Sequence, residues 1–126
     1  MSRQRVRLRS AFTLAALLLV ALISCERAFS DGAVQALLAD PARYDGQVVA
    51  LTGTATHVDR RISRKGNAYY TFQLEDGSGR VTVFSFGTPP CPSGSRVSVE
   101  GQFLRVKHVS GYTFYNQVDA RQVSCE

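Results

Sequence analysis

The sequence predicts an all-β fold, a small closed barrel of five strands preceded by one short helix. Three observations carry this. Residues 68–86, AYYTFQLEDGSGRVTVFSF, alternate apolar and polar positions on both sides of a tight Asp-Gly-Ser-Gly turn. Two longer segments rich in β-branched residues, 47–58 and 96–106, each hold a glycine near the middle, where a coiling strand bends or bulges. Five such strands laid flat would expose two edges, and closure removes both.

The elements follow in order. Asp31 to Leu38 reads as a helix: Asp31 caps it, and Val34, Leu37 and Leu38 share one face. Asp40-Pro41 ends it, because the residue before proline is driven out of the helical region. Tyr44-Asp45-Gly46 turns the chain into the first strand, Gln47 to Val58, with Gly53 inside it. The second strand runs from Ala68 to Glu75 and the third from Arg80 to Phe86, joined by Asp76–Gly79, whose glycines tolerate positive φ. If Tyr70, Phe72, Leu74, Val81 and Val83 fill the interior, then Tyr69, Gln73, Arg80, Phe84 and Phe86 face outward. A Pro- and Gly-rich loop, GTPPCPSGS, leads to the fourth strand, Arg96 to Val106, with Gly101 inside it, and Tyr112 to Val123 is the fifth.

The chain begins MSRQRVRLRSAFTLAALLLVALISC. Arg3, Arg5, Arg7 and Arg9 precede an uncharged apolar run, Ala11 to Ile23, shorter than the ~20 residues of a permanent membrane span. This reads as a secretory signal peptide. Leu22-Ile23-Ser24-Cys25 resembles the bacterial lipobox, which implies removal of residues 1–24 and acylation of Cys25. Cleavage after Ser30, at Ala28-Phe29-Ser30, is the alternative, and it discards Cys25. Residues 25–43 then hold the lipidation site, a linker and the helix, and residues 44–126 hold the barrel. The expected address is the bacterial cell envelope, as a periplasm-facing lipoprotein held to the membrane or as a secreted periplasmic protein.

Removing the leader changes the electrostatics. The formal charge of the 126 residues is +5, but from Asp31 onward ten bases face nine acids, leaving +1. Net charge is therefore poor evidence for a polyanionic partner. If Cys25 carries lipid, Cys91 and Cys125 remain as a pair that an oxidising compartment allows to join. A metal site is the rival reading, but two distant cysteines without CxxC or HxxxH spacing make poor ligands.

The ordered set YDGQVVALTGTATHV, YYTFQLEDGSGRVTVF, GSRVSVEGQF and NQVDARQV, over residues 44–123, resembles the OB-fold. It is closest to the anticodon-binding and helicase-associated nucleic-acid-binding type. The resemblance implies Greek-key order and a ligand face across the second and third strands, framed by the first and last hairpin connections. One departure is visible. Many members place a helix between strands three and four, and Gly87 to Ser95 is too short and proline-rich for one, so the N-terminal helix is expected to plug the barrel instead.

Applied here, that face gathers Arg60, Arg61, Arg64 and Lys65 in the first connection, DRRISRKGN. It gathers Arg105, Lys107, His108 and Tyr112 in the last, RVKHVSGY, around Tyr69, Gln73, Arg80, Phe84 and Phe86. Single-strand binders use this combination, cations along phosphates and rings under bases. The expected partner is therefore single-stranded nucleic acid or another oligoanion. An envelope protein or peptide meeting the same face is the alternative. The HxxxY of His108 and Tyr112 also resembles the motif of the periplasmic haem chaperone of cytochrome c maturation, although there the motif follows the last strand. No nucleophile elbow, phosphate loop or carboxylate cluster appears, so neither catalysis nor a cofactor is expected.

Overall fold

The computed structural model describes residues 33–126; the expected signal peptide, the expected lipidation site at Cys25 and the expected Asp31 cap lie outside them. Two short helices, α1 (Ala33–Ala39) and α2 (Pro41–Tyr44), precede β1 (Val48–Ile62), β2 (Ala68–Glu75), β3 (Arg80–Phe86), β4 (Arg96–Val109) and β5 (Tyr112–Cys125). The strands close in the order β1-β2-β3-β5-β4 and back to β1. Every pairing is antiparallel except β3 with β5. This is the five-stranded OB-fold barrel.

The alternation read from the sequence decides the interior. Tyr70, Phe72 and Leu74 of β2 and Val81 and Val83 of β3 are buried. They pack with Leu51 and Ala55 of β1, Val97, Val99 and Phe103 of β4, and Val118 of β5. The two internal glycines act as expected in part. Gly101 sits at a bulge, opposite a shifted β5 register, where an added Cβ would strike the Asp119 carbonyl and the Ala120 backbone. Gly53 lies instead in regular pairing, where β1 passes from β4 to β2, and a Cβ there would come within 2.5 Å of the Glu75 carbonyl oxygen. The bulge of β1 falls later, at His57 and Val58, with His57 at φ 54°.

Both poles of the barrel are closed. At the pole of the β2–β3 turn, α1 inserts Val34 and Leu37 into the core, as expected of the N-terminal helix. Its first amides are satisfied by that turn: Val34 N–H donates to Asp76 Oδ2 at 3.1 Å and Gln35 N–H to Ser78 Oγ at 3.2 Å. Proline ends α1 where the sequence said, but Pro41 opens α2, since proline suits a first helical turn. At the other pole, Pro89, Pro90 and Cys91 lie over Ala55, Tyr70 and Phe72. A Cys91–Cys125 disulfide, Cα atoms 5.9 Å apart, clamps this loop to the end of β5.

Three boundaries differ from expectation. β1 continues to Ile62, β4 to Val109 and β5 to Cys125. Arg60, Arg61, Lys107 and His108 therefore stand on strands and not in loops. The reason is cross-strand pairing: Asp59–Ile62 bond β2, and Val106–Val109 bond the start of β5, so polar residues that look like loop in isolation are held extended.

Candidate functional site

The outward surface of β2 and β3 is built from four facing positions. From one end they are Tyr69 with Phe86, Thr71 with Phe84, Gln73 with Thr82, and Glu75 with Arg80. The last two rungs are internally satisfied. Gln73 Nε2 donates to Thr82 Oγ1 at 2.9 Å, and Arg80 pairs with Glu75 at 3.3 Å. The first two carry the rings. Tyr69 and Phe84 centroids lie 5.3 Å apart, and Phe84 meets Phe86 edge-on at 5.1 Å.

The rings are unequally available. Lys107 of β4 folds its Nζ over Phe84, 4.1 Å from the centroid, while it pairs with Asp119 Oδ2 at 2.9 Å. Asp119 stands beside Phe84 through the parallel β3–β5 register, and its Oδ1 also accepts from Gln117 Nε2 at 2.9 Å. Phe84 is thus half-buried and capped by an ammonium. Phe86, by contrast, is 70% exposed, with Tyr69 half-buried next to it. The stacking surface is Phe86 and Tyr69.

The β1 bulge decides which arginine joins them. Two residues, His57 and Val58, oppose Phe72, and beyond them Arg61 faces Tyr69 while Arg60 faces the inward-pointing Tyr70. Arg61 therefore shares the ring surface. Its Nε donates to Asp59 Oδ2 at 2.8 Å, and that hydrogen bond and charge hold the guanidinium pKa above its ordinary value. Arg60 turns the other way and lines a groove of about 350 Å³ with Arg61, Ile62, Ala68, Tyr69 and Gly87–Pro89. Arg64 and Lys65 are exposed in the turn that joins β1 to β2, closed by Ser63 and Asn67 backbone bonds.

The structure thus brings together Arg61, Tyr69, Phe84, Phe86 and Lys107, with Arg60, Arg64 and Lys65 at one end of the strip and Gln73 and Arg80 at the other. It does not bring in three expected residues. Arg105 sits where its amide donates to Asp45 Oδ1. His108, whose Nδ1 lies 3.0 Å from Thr113 Oγ1, and Tyr112 stand further out on the β4–β5 hairpin. Asp59, Asp119 and Gln117 are site residues that sequence reasoning missed. Alternation in NQVDARQV turns Asp119 outward, but only the parallel register sets it beside Phe84. Among the described residues no group of three or more His, Cys, Asp or Glu is placed to hold a metal ion.

No family model and no curated protein matches the chain. Among solved structures it is similar to a protein described as an aspartyl-tRNA synthetase from Leishmania major Friedlin. The identity is 15% and the TM-score 0.55, over 88% of this chain and 23% of that one. It is also similar to a small single-stranded DNA-binding protein from Streptomyces coelicolor, with 15% identity and a TM-score of 0.48 over 65% of this chain and 94% of that one. This chain spans less than a quarter of the synthetase's length. At such identity the likeness speaks for the fold alone.

Proposed function

We propose that the protein is a non-enzymatic binding module for single-stranded nucleic acid, held in the bacterial envelope by its N-terminus. The carrying observation is Phe86: a large ring left 70% exposed on the outward surface of the barrel, beside Tyr69 and Arg61. It meets Phe84 edge-on and remains largely open to solvent, and a base stacked on an exposed ring is worth about 1–3 kcal/mol. Arg61, Lys107 and Arg80 each sit with a carboxylate, so those pairs add little net charge. The phosphate-facing cations of this reading are Arg60, Arg64 and Lys65, placed along the groove and hairpin next to Tyr69.

Two consequences test it. Phe86→Ala weakens binding of a labelled single strand by roughly tenfold, in line with loss of one stacked base, and leaves the barrel intact, since the ring contributes nothing to the interior. Arg64→Ala with Lys65→Ala weakens binding chiefly at low salt. The membrane half of the reading rests on the Arg-rich start, the apolar run and Leu22–Cys25. Intact mass of membrane-extracted protein, showing Cys25 as an acylated first residue, supports it, and an unmodified chain starting at Asp31 contradicts it.

A further inference from the structure

The outward ring surface stops at Phe86, where β3 ends. The next residue, Gly87, has a φ of 96° and donates its amide to the Ala68 carbonyl. A Cβ added to it would meet nothing within 4 Å, so the step from Phe86 is open and carries no side chain. Gly87 helps to line the groove of about 350 Å³, which lies between the end of the β1–β2 hairpin, with Arg60, Ile62 and Ala68, and the segment Gly87–Pro89. Two features decide what this groove can hold. Arg61, Arg80, Arg96 and Lys107 each sit with a carboxylate, whereas among the described residues Arg60 has no such partner and the Thr88 hydroxyl has none either. The groove also ends the path from the rings. Tyr69 is its one aromatic lining residue among the described residues, and Pro89–Cys91 beyond it cover the barrel pole, fixed by the disulfide to Cys125.

We propose that this groove takes a phosphate monoester, the terminal phosphate of a single strand whose last base stacks on Phe86. The inference rests on the nucleic-acid half of the proposed function and names the part of that ligand which the groove holds. A terminal phosphate carries about −1.5 to −2 charge at neutral pH and three strong acceptor oxygens. A phosphate inside the strand carries a single charge. The Arg60 guanidinium offers a planar fork of donors to such a group and gives up no existing ion pair to do so. The Thr88 hydroxyl supplies one more donor at the same place. The volume lies at the lower end of ligand pockets, ~300–1,000 Å³, which leaves room for one sugar phosphate and not for a run of strand. Ile62, 74% exposed, and Pro89 give the sugar an apolar surface. A strand that ran past this point would leave the rings and meet the clamped loop, so the arrangement favours an end over an interior.

The test titrates the full chain with labelled oligonucleotides of one sequence and length that carry a phosphate at one end, at the other end, or at neither. The expected result is that one phosphorylated strand binds about tenfold tighter than the strand with two hydroxyl ends, the effect of one charge-assisted contact. The strand phosphorylated at its other end gains little, because stacking on Phe86 fixes the direction. In Arg60→Ala, a change at an exposed position outside the core, all three strands bind alike. Equal gains from both ends show general charge attraction and overturn the proposal, as does an end preference that survives Arg60→Ala. A nucleoside monophosphate that binds as tightly as the phosphorylated strand also overturns it and assigns the groove to free nucleotide. Parent protein that binds all three strands alike removes this inference alone, whereas no binding of any strand removes the nucleic-acid reading with it.

Discussion

Lys107 shows how much one side chain depends on what surrounds it. In the sequence it is one base among several. In the barrel its side chain is mostly buried, its ammonium shared between the Phe84 ring and the Asp119 carboxylate. Removing it leaves Asp119 with only the Gln117 amide, so Lys107→Ala costs about 1–2 kcal/mol. Arg80→Ala, which breaks the exposed pair with Glu75, costs about 0.5 kcal/mol or less. Urea denaturation of the two variants checks the difference; equal losses contradict it. Asp76 acts at a distance. Burial alone pushes its carboxyl up, but hydrogen bonds from Ser78 and from the Val34, Ser78 and Gly79 amides outweigh this and hold the pKa below its ordinary value. A folded pKa below the unfolded one, about 3.9, stabilises the fold above that pH. The contribution is lost as acid titrates the group through its lowered value. Asp76→Ala removes the helix cap at a cost of about 1 kcal/mol near neutral pH, and the variant converges on the parent in stability as pH falls below about 4.

Among the elements, the hairpin of β2 and β3 was fully legible in sequence, because its alternation is unbroken and its turn glycines are unambiguous. The inward and outward residues of both strands followed from it. β1 was legible only as far as Val58. A bulge is a departure from alternation, and Asp-Arg-Arg-Ile beyond it reads as loop until its pairing with β2 is known. The far end of β4 was missed for the same reason: Lys107 to Ser110 has the composition of a connection, and only the facing β5 holds Lys107–Val109 extended. At the candidate face the outward placement of the rings was legible, since it follows from alternation, whereas the positions of Lys107, His108 and Tyr112 depend on how far β4 and β5 run. The loop Gly87–Ser95 carries a separate expectation. With no helix there, closure of that pole rests on Pro89–Cys91 and the disulfide, across a sequence separation of 34. Cys91→Ser with Cys125→Ser lowers unfolding free energy by about 3–4 kcal/mol; a loss under about 1 kcal/mol shows that the loop is held by packing alone.

Over the whole molecule the arrangement is polar in the geometrical sense. One pole carries α1 and the β2–β3 turn; the other carries the basic hairpin, the groove and the clamped loop; Phe86 and Tyr69 lie at the second end of the strip between them. The +1 balance from Asp31 onward means that long-range attraction for a polyanion is weak, and that binding must come from local contact. Three free cations near the rings set the expectation for salt: a slope of about −2 in log K against log salt for a single strand. The most direct measurement is titration of the domain with a labelled single-stranded oligonucleotide at 50 mM and 200 mM salt, for the parent and for Phe86→Ala. The account predicts roughly a 15-fold fall in parent affinity across that range, with Phe86→Ala weaker at both salts and its slope unchanged. Parent and variant binding alike, or no binding by the parent at the lower salt, contradicts the claim that this exposed ring is a base-stacking platform.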